Sequence, residues 1–134
     1  MRKNPGFANP EYMIALAAVL IVLAIALPPA ARVLQRRRSL KALATLRAAV
    51  ARYAADTKTK GPLDLSDLTK EGKYLSELPA VGLSGQHAKS ARVGALTDDT
   101  GGWVHSSWPG DPREGSVWIN CTHTDNRGTS WSAY

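Results

Sequence analysis

Residues 10–31 read PEYMIALAAVLIVLAIALPPAA, and the organisation of the chain follows from this stretch. Residues 13–27 form an unbroken apolar run of fifteen, extended by Tyr12 on one side and by Pro28, Pro29, Ala30 and Ala31 on the other into an uncharged stretch of twenty. At about 1.5 Å rise per residue, twenty helical residues span about 30 Å, the thickness of a bilayer's hydrocarbon core. A single membrane-crossing helix is therefore expected. One carboxylate, Glu11, stands at its N-terminal edge. Holding such a charge in lipid costs about 2 to 4 kcal/mol, so the acid needs a cationic partner. Asn9 is a good N-cap, and Pro10 suits the first helical position, where a missing N–H costs nothing.

Beyond the apolar run stands a basic collar of Arg32, Arg36, Arg37, Arg38 and Lys41. Leu40, Leu43, Leu46, Val50 and Tyr53 then recur at steps of three and four, with Lys41, Thr45 and Arg52 mostly off that line. This is the pattern of an amphipathic helix with one buried stripe. Joined to the apolar segment it predicts one helix over residues 10–56, about 70 Å long. Pro28 and Pro29 each remove a hydrogen bond and crowd the preceding turn, so a kink is expected there. Residues 57–62, with Gly61 and Pro62, end the helix. The chain beyond the helix suffices for one small domain and not for two. The net charge is +6, concentrated in residues 32–52. Beside a membrane each such base gains about 1 kcal/mol from anionic head groups, so lipid, and not nucleic acid, is the expected partner of the collar.

Gly6-Phe7, then Glu11 four residues after Phe7, then an apolar helix containing Pro28 and continuing into a basic, alanine-rich helix resembles the N-terminus of type IV pilins and type II secretion pseudopilins. The resemblance implies a prepilin leader at residues 1–6, cut between Gly6 and Phe7 by a membrane-embedded prepilin peptidase, with N-methylation of Phe7. It implies that residues 7–31 are the membrane and assembly segment, that residues 32–56 are the amphipathic half of the same helix, and that residues 57–134 form the globular domain. Glu11 would pair with the Phe7 amine of a neighbouring copy. Physics supports that use, since a buried carboxylate is tolerable when a protein cation in the same low-dielectric layer neutralises it. Where the family places a hydroxyl residue and two large aliphatics, this chain has Ala8, Asn9 and Pro10.

Other readings of the segment stay open. A secretory signal peptide would share the basic start at Arg2 and Lys3, with Ala24-Ile25-Ala26 as its cleavage site, but would not need Glu11. A plain single-pass anchor is the other. By the positive-inside rule alone, the collar outweighs Arg2 and Lys3 and would keep the domain in the cytoplasm, whereas the family resemblance places it in the periplasm.

The expected fold class is α+β, a long N-terminal helix packed on a small antiparallel sheet, pilin-like. Residues 62–68 suggest a connection with one helical turn, residues 73–79 resemble the pseudopilin segment that brings the chain back to the sheet, and residues 82–89 suggest an exposed loop. Strands are expected at 91–96, 102–106 and 116–122, the last two bracketing a turn at 108–112. The segments Gly101-Gly102-Trp103-Val104 and Gly115-Ser116-Val117-Trp118-Ile119-Asn120 resemble the terminal hairpin of small pseudopilins. Trp103, Trp108, Trp118 and Trp131 are expected to pack the sheet or a subunit contact.

Catalytic chemistry finds little support. No hydroxyl nucleophile stands in a motif with a base and no phosphate-cradling glycine loop appears, so an enzyme is not expected. Cys121 has no disulfide partner in the chain and is expected as a small buried thiol. Cys121, His123 and Asp125 alternate and on a strand would share a face as metal ligands, though the usual paired-cysteine spacing is absent. The family resemblance adds calcium, with Asp98, Asp99, Asp111 and Asp125 in or beside the loops of the β region as oxygen ligands. The implied partners are further copies in a helical filament, the prepilin peptidase, an inner-membrane assembly platform with its ATPase, and membrane lipid. The alternative is a membrane-anchored binding module that does not polymerise.

Overall fold

The computed structural model describes residues 10–83 and 85–134. The expected processing residues Gly6 and Phe7, and Asn9, lie outside the described residues. Helix α1 runs Pro10–Thr57 and remains helical through Pro28 and Pro29. The chain divides into two units between Arg32 and Val33.

In the first unit every described residue is exposed. Its apolar window is long and apolar enough to cross a membrane, and none of it is buried within the chain. Ile14, Ile25 and the large aliphatic residues between them leave their surface uncovered, which is a stable arrangement only in an apolar environment.

The second unit is an α+β domain. Its part of α1 buries Ser39, Leu43, Leu46, Ala49 and Val50, with Leu40 and Tyr53 packed at the margin, so the three-and-four spacing in the sequence becomes the buried stripe. A 3-10 helix at Leu65–Gly72 comes next, started by the Asp64 carboxylate accepting from the Ser66 amide at 2.8 Å and anchored by buried Leu65 and Leu68. Regular geometry is lost at Lys70 and Glu71, where Glu71 takes a φ of 56°.

The segment expected as an exposed loop over 82–89 instead forms a hairpin. Strand β1 (Val81–Leu83) pairs antiparallel with β2 (His87–Ser90). Val81 and Leu83 flank Gly82 and both enter the core, while the polar β2 shows no apolar alternation that would have marked it as a strand. The other sheet has the order β3 (Val93–Gly94), β4 (Trp103–His105), β5 (Val117–Ile119). These strands fall within the expected segments, but the sheet is mixed and not antiparallel throughout: β4 and β5 are antiparallel, whereas β3 and β4 are parallel. The connection at 95–102 turns the chain twice and so restores its direction. Gly101 and Gly102 both take positive φ there, and a Cβ on Gly102 would overlap the Arg92 carbonyl, which accepts the Trp103 amide at 2.8 Å.

Trp103 is fully buried and its Nε1 donates to the Pro79 carbonyl at 2.7 Å. Trp118 and Trp131 are also buried, and Trp118 Nε1 donates to Thr97 Oγ1 at 2.9 Å. Trp108 does not pack the sheet: it sits at a turn and is 74% exposed, so of the two expected roles only the subunit contact is left to it. The tail after β5 is tied to α1 by a charged clasp. Arg36 Nε donates to Asp125 Oδ2 at 2.5 Å, and the Tyr134 hydroxyl, which donates to the same oxygen, accepts from Arg36 Nη2 at 2.9 Å. Burial acts to raise the Asp125 pKa, but hydrogen bonds from Tyr134, the Arg127 amide, Arg36 and the Thr129 amide hold the carboxyl well below the usual carboxylate range.

Trp103→Ala should cost about 3 to 5 kcal/mol in denaturant unfolding of the detergent-solubilised chain, because the void it leaves lies at the junction of helix and sheet. The depressed pKa of Asp125 means that its stabilisation is complete above its unfolded value of about 3.9 and is lost as pH falls from there toward the folded value. Asp125→Asn should therefore lower the thermal midpoint at neutral pH and flatten its decline in acid.

Candidate functional site

Glu11 lies in the first turn of α1 and is exposed, at the edge of the apolar surface. Pro28 and Pro29 are exposed on the same helix. The Phe7 amine expected to meet Glu11 belongs to residues outside those described.

The aspartates read from the sequence as calcium ligands fall at three places: Asp98 and Asp99 side by side in the 95–102 connection, Asp111 in a turn, and Asp125 in the tail. Asp98 Oδ1 accepts from Thr100 Oγ1 at 2.7 Å and from Asn120 Nδ2 at 2.6 Å. Asp111 Oδ1 accepts from the Arg113 amide at 2.7 Å, as a turn-forming aspartate does. Asp125 is committed to Arg36 and Tyr134. Asp99 alone of the four joins a group of other metal-ligating side chains. Among the described residues one such group appears: His87, Asp99, Cys121 and His123, with one ligand atom from each and all four atoms within 4.8 Å of one another.

Three segments build this group. His87 opens β2, Asp99 sits in the connection between β3 and β4, and Cys121 and His123 alternate beyond β5, where the carbonyls of both accept from the tail amides of Ser132 and Trp131. Asp99 Oδ1 lies 3.4 Å from His87 Nε2 and 3.4 Å from His123 Nδ1. Cys121 Sγ lies 3.4 Å from the same His123 nitrogen. The two imidazoles meet edge to face at 5.4 Å between centroids. His87 Nε2 is buried and, beyond its 3.4 Å approach to Asp99 Oδ1, has no well-formed hydrogen bond, so its bonding capacity is turned into the group.

Asn120 positions the acid. Its side chain is almost wholly buried, and its Oδ1 accepts the amides of Asp98 at 3.0 Å and Asp99 at 3.1 Å. Asp99 thereby adopts φ 60°, a conformation that aspartate tolerates better than most residues, and its Oδ1 accepts the Thr122 amide at 2.8 Å. Gly101 makes the approach of β2 feasible, since a Cβ there would stand 2.9 Å from His87 Cβ.

Comparison with protein-family models, with curated proteins and with solved structures finds no match.

The electrostatics of the group disfavour nucleophilic catalysis. Burial pushes the Cys121 thiol up to about 11, only partly opposed by a hydrogen bond from the His123 backbone amide, with Asp99 adding to the rise. A reactive cysteine needs the opposite, a thiolate favoured by nearby positive charge. Asp99 is held below its usual range, chiefly by the Thr122 amide, which outweighs its desolvation, and by the neighbouring histidines. The pairing of Cys121 with His123 follows the alternation in the sequence, but Asp125 turns away to Arg36, and His87 with Asp99 takes its place. No local spacing signals His87, which comes from a segment without strand periodicity, nor Asn120, whose role appears only once the loop wraps its amide.

Asn120→Ala would leave the partly buried Asp98 and Asp99 amides without their acceptor, at a cost of about 1 kcal/mol. Hydrogen exchange should show these two amides exchanging faster, with α1 protection near Leu46 changed much less.

Proposed function

We propose that this chain is a structural subunit of a type IV pilus-like filament, anchored in a membrane and polymerised through the first half of α1. A bacterial inner membrane, with the domain on its periplasmic side, is the proposed location before assembly. A secretion pseudopilin is the preferred form. The observation that carries the reading is the joining, in one helix, of an exposed apolar surface opened by a single acid to an amphipathic half that forms the core of a small α+β domain. A surface of that size must be covered, by lipid before assembly and by neighbouring helices after it.

In this reading the prepilin peptidase cuts after Gly6, and the freed, methylated Phe7 amine meets Glu11 of an adjacent copy. An inner-membrane platform and its ATPase supply the work of extraction. Exchange of lipid for helices gives cohesion with little specificity, because both surroundings are apolar. The charge pair supplies axial register, since a displaced subunit leaves two charges unmatched in a low-dielectric layer.

A plain anchored module is the second reading, favoured by the excess of Arg32, Arg36, Arg37, Arg38 and Lys41 over Arg2 and Lys3 across the segment. The two separate cleanly in experiment. Glu11→Ala should insert in the membrane at the wild-type level but fail to appear in sheared filaments or in subunit cross-links; filaments at normal yield would remove the register argument. Mass spectrometry of protein from native membranes should find an N-terminal methylated Phe7, and Gly6→Val should keep the full-length mass. A chain that starts at Met1 in the wild type would favour the module.

A further inference from the structure

The domain carries a second arrangement that neither anchoring nor polymerisation uses. We propose that His87, Asp99, Cys121 and His123 form a binding site for a transition-metal ion of zinc type, coordinated by His87 Nε2, His123 Nδ1, Cys121 Sγ and one Asp99 carboxylate oxygen.

The spacing of the four ligand atoms suits a tetrahedral ion. A tetrahedral zinc site with bonds of about 2.0 to 2.3 Å has ligand-to-ligand edges of about 3.3 to 3.7 Å. Three of the separations in this group, Asp99 to each histidine and Cys121 to His123, already stand at 3.4 Å. The remaining ones are no longer than 4.8 Å, so closure on an ion needs side-chain adjustments of about 1 Å.

The donor chemistry points to the same class of ion. Two imidazole nitrogens, one sulfur and one carboxylate oxygen make a set of intermediate softness that suits zinc better than the all-oxygen shell calcium requires. Binding replaces the Cys121 S–H bond by a sulfur–metal bond, and the proton leaves to solvent. One thiolate and one carboxylate then neutralise the dication, so the half-buried site carries no net charge. The buried His87 Nε2, which has no well-formed hydrogen bond, gains a metal bond.

The surroundings already orient the ligands as a metal site requires. The Thr122 amide holds the Asp99 carboxylate, and Asn120 holds its backbone. All four positions come from the protein, which marks a structural site and not a catalytic one with an open position. Its role is to cross-link β2, the 95–102 connection and the tail, whose strands are each too short to be stable alone.

The test is titration of the full-length, reduced chain in detergent with cobalt(II), followed by competition with zinc(II). The expected result is one equivalent of cobalt giving the intense visible bands of tetrahedral coordination and a near-ultraviolet thiolate-to-cobalt band, both removed by one equivalent of zinc. Zinc should also raise the thermal midpoint. Cys121→Ser should abolish the thiolate band. Because Cys121 is in the core, His123→Ala provides the decisive variant: this side chain is half exposed, so its loss leaves the fold intact and should weaken cobalt binding by at least about 100-fold. A weak six-coordinate spectrum from the wild type, or tetrahedral bands that persist unchanged in His123→Ala, would overturn the site.

Discussion

The burial of Leu43, Leu46, Ala49 and Val50 of α1 against Trp103, Val117 and Ile119 is the interaction on which the domain depends. Among the described residues no strand exceeds four residues, and sheets of that size do not stand alone in water. The helix gives them a preformed apolar face, and Leu65, Leu68, Val81 and Leu83 complete the same cluster from the connecting segments. Loss of contact at this face would release both sheets together. The small side chain of Ala49 and the buried Ser39, whose hydroxyl donates to the Gly82 carbonyl at 3.2 Å, fit the helix closely to the strands.

Around that core, side chains add hydrogen bonds to the backbone beyond those of the ladders and turns. Asn120 serves the turn at 98–100, Asp125 serves the turn at 125–129, and Trp103 Nε1 serves the Pro79 carbonyl. Such bonds contribute about 1 kcal/mol each when made and cost more when a buried partner is left alone. They also fix directions. Asn120 determines where Asp99 points, and the Arg36 clasp determines that Asp125 does not join it.

The two units have opposite solvent requirements. Residues 10–32 expose large aliphatic side chains over several turns of helix, while the domain after Arg32 gathers most of its large apolar side chains into a buried core. The basic collar lies where these requirements change, so head groups can neutralise it while the chain is in a membrane. In the proposed filament that neutralisation would have to be replaced along with the lipid, which would give charge matching a part beyond the proposed Glu11 pair.

Elements with a local signal are legible in the order of amino acids alone: the apolar run, the extent of α1, its buried stripe, and the approximate positions of β3 to β5. Helix periodicity and the apolar run each span several turns, so many residues repeat the same message. The hairpin at 81–90, the parallel pairing of β3 with β4, the exposure of Trp108 and the partners of the aspartates emerge only in three dimensions. The hairpin depends on Val81 and Leu83 reaching the core, and the settings of Asp99 and Asp125 depend on residues far apart in the chain, so neither leaves a periodic trace in the sequence. Asp99 and Asp125 have the same chemistry and both lie in polar turns, yet one faces two histidines and a thiol, and the other an arginine and a tyrosine. That difference comes from where Asn120 and Arg36 stand in space, and no spacing along the chain encodes it.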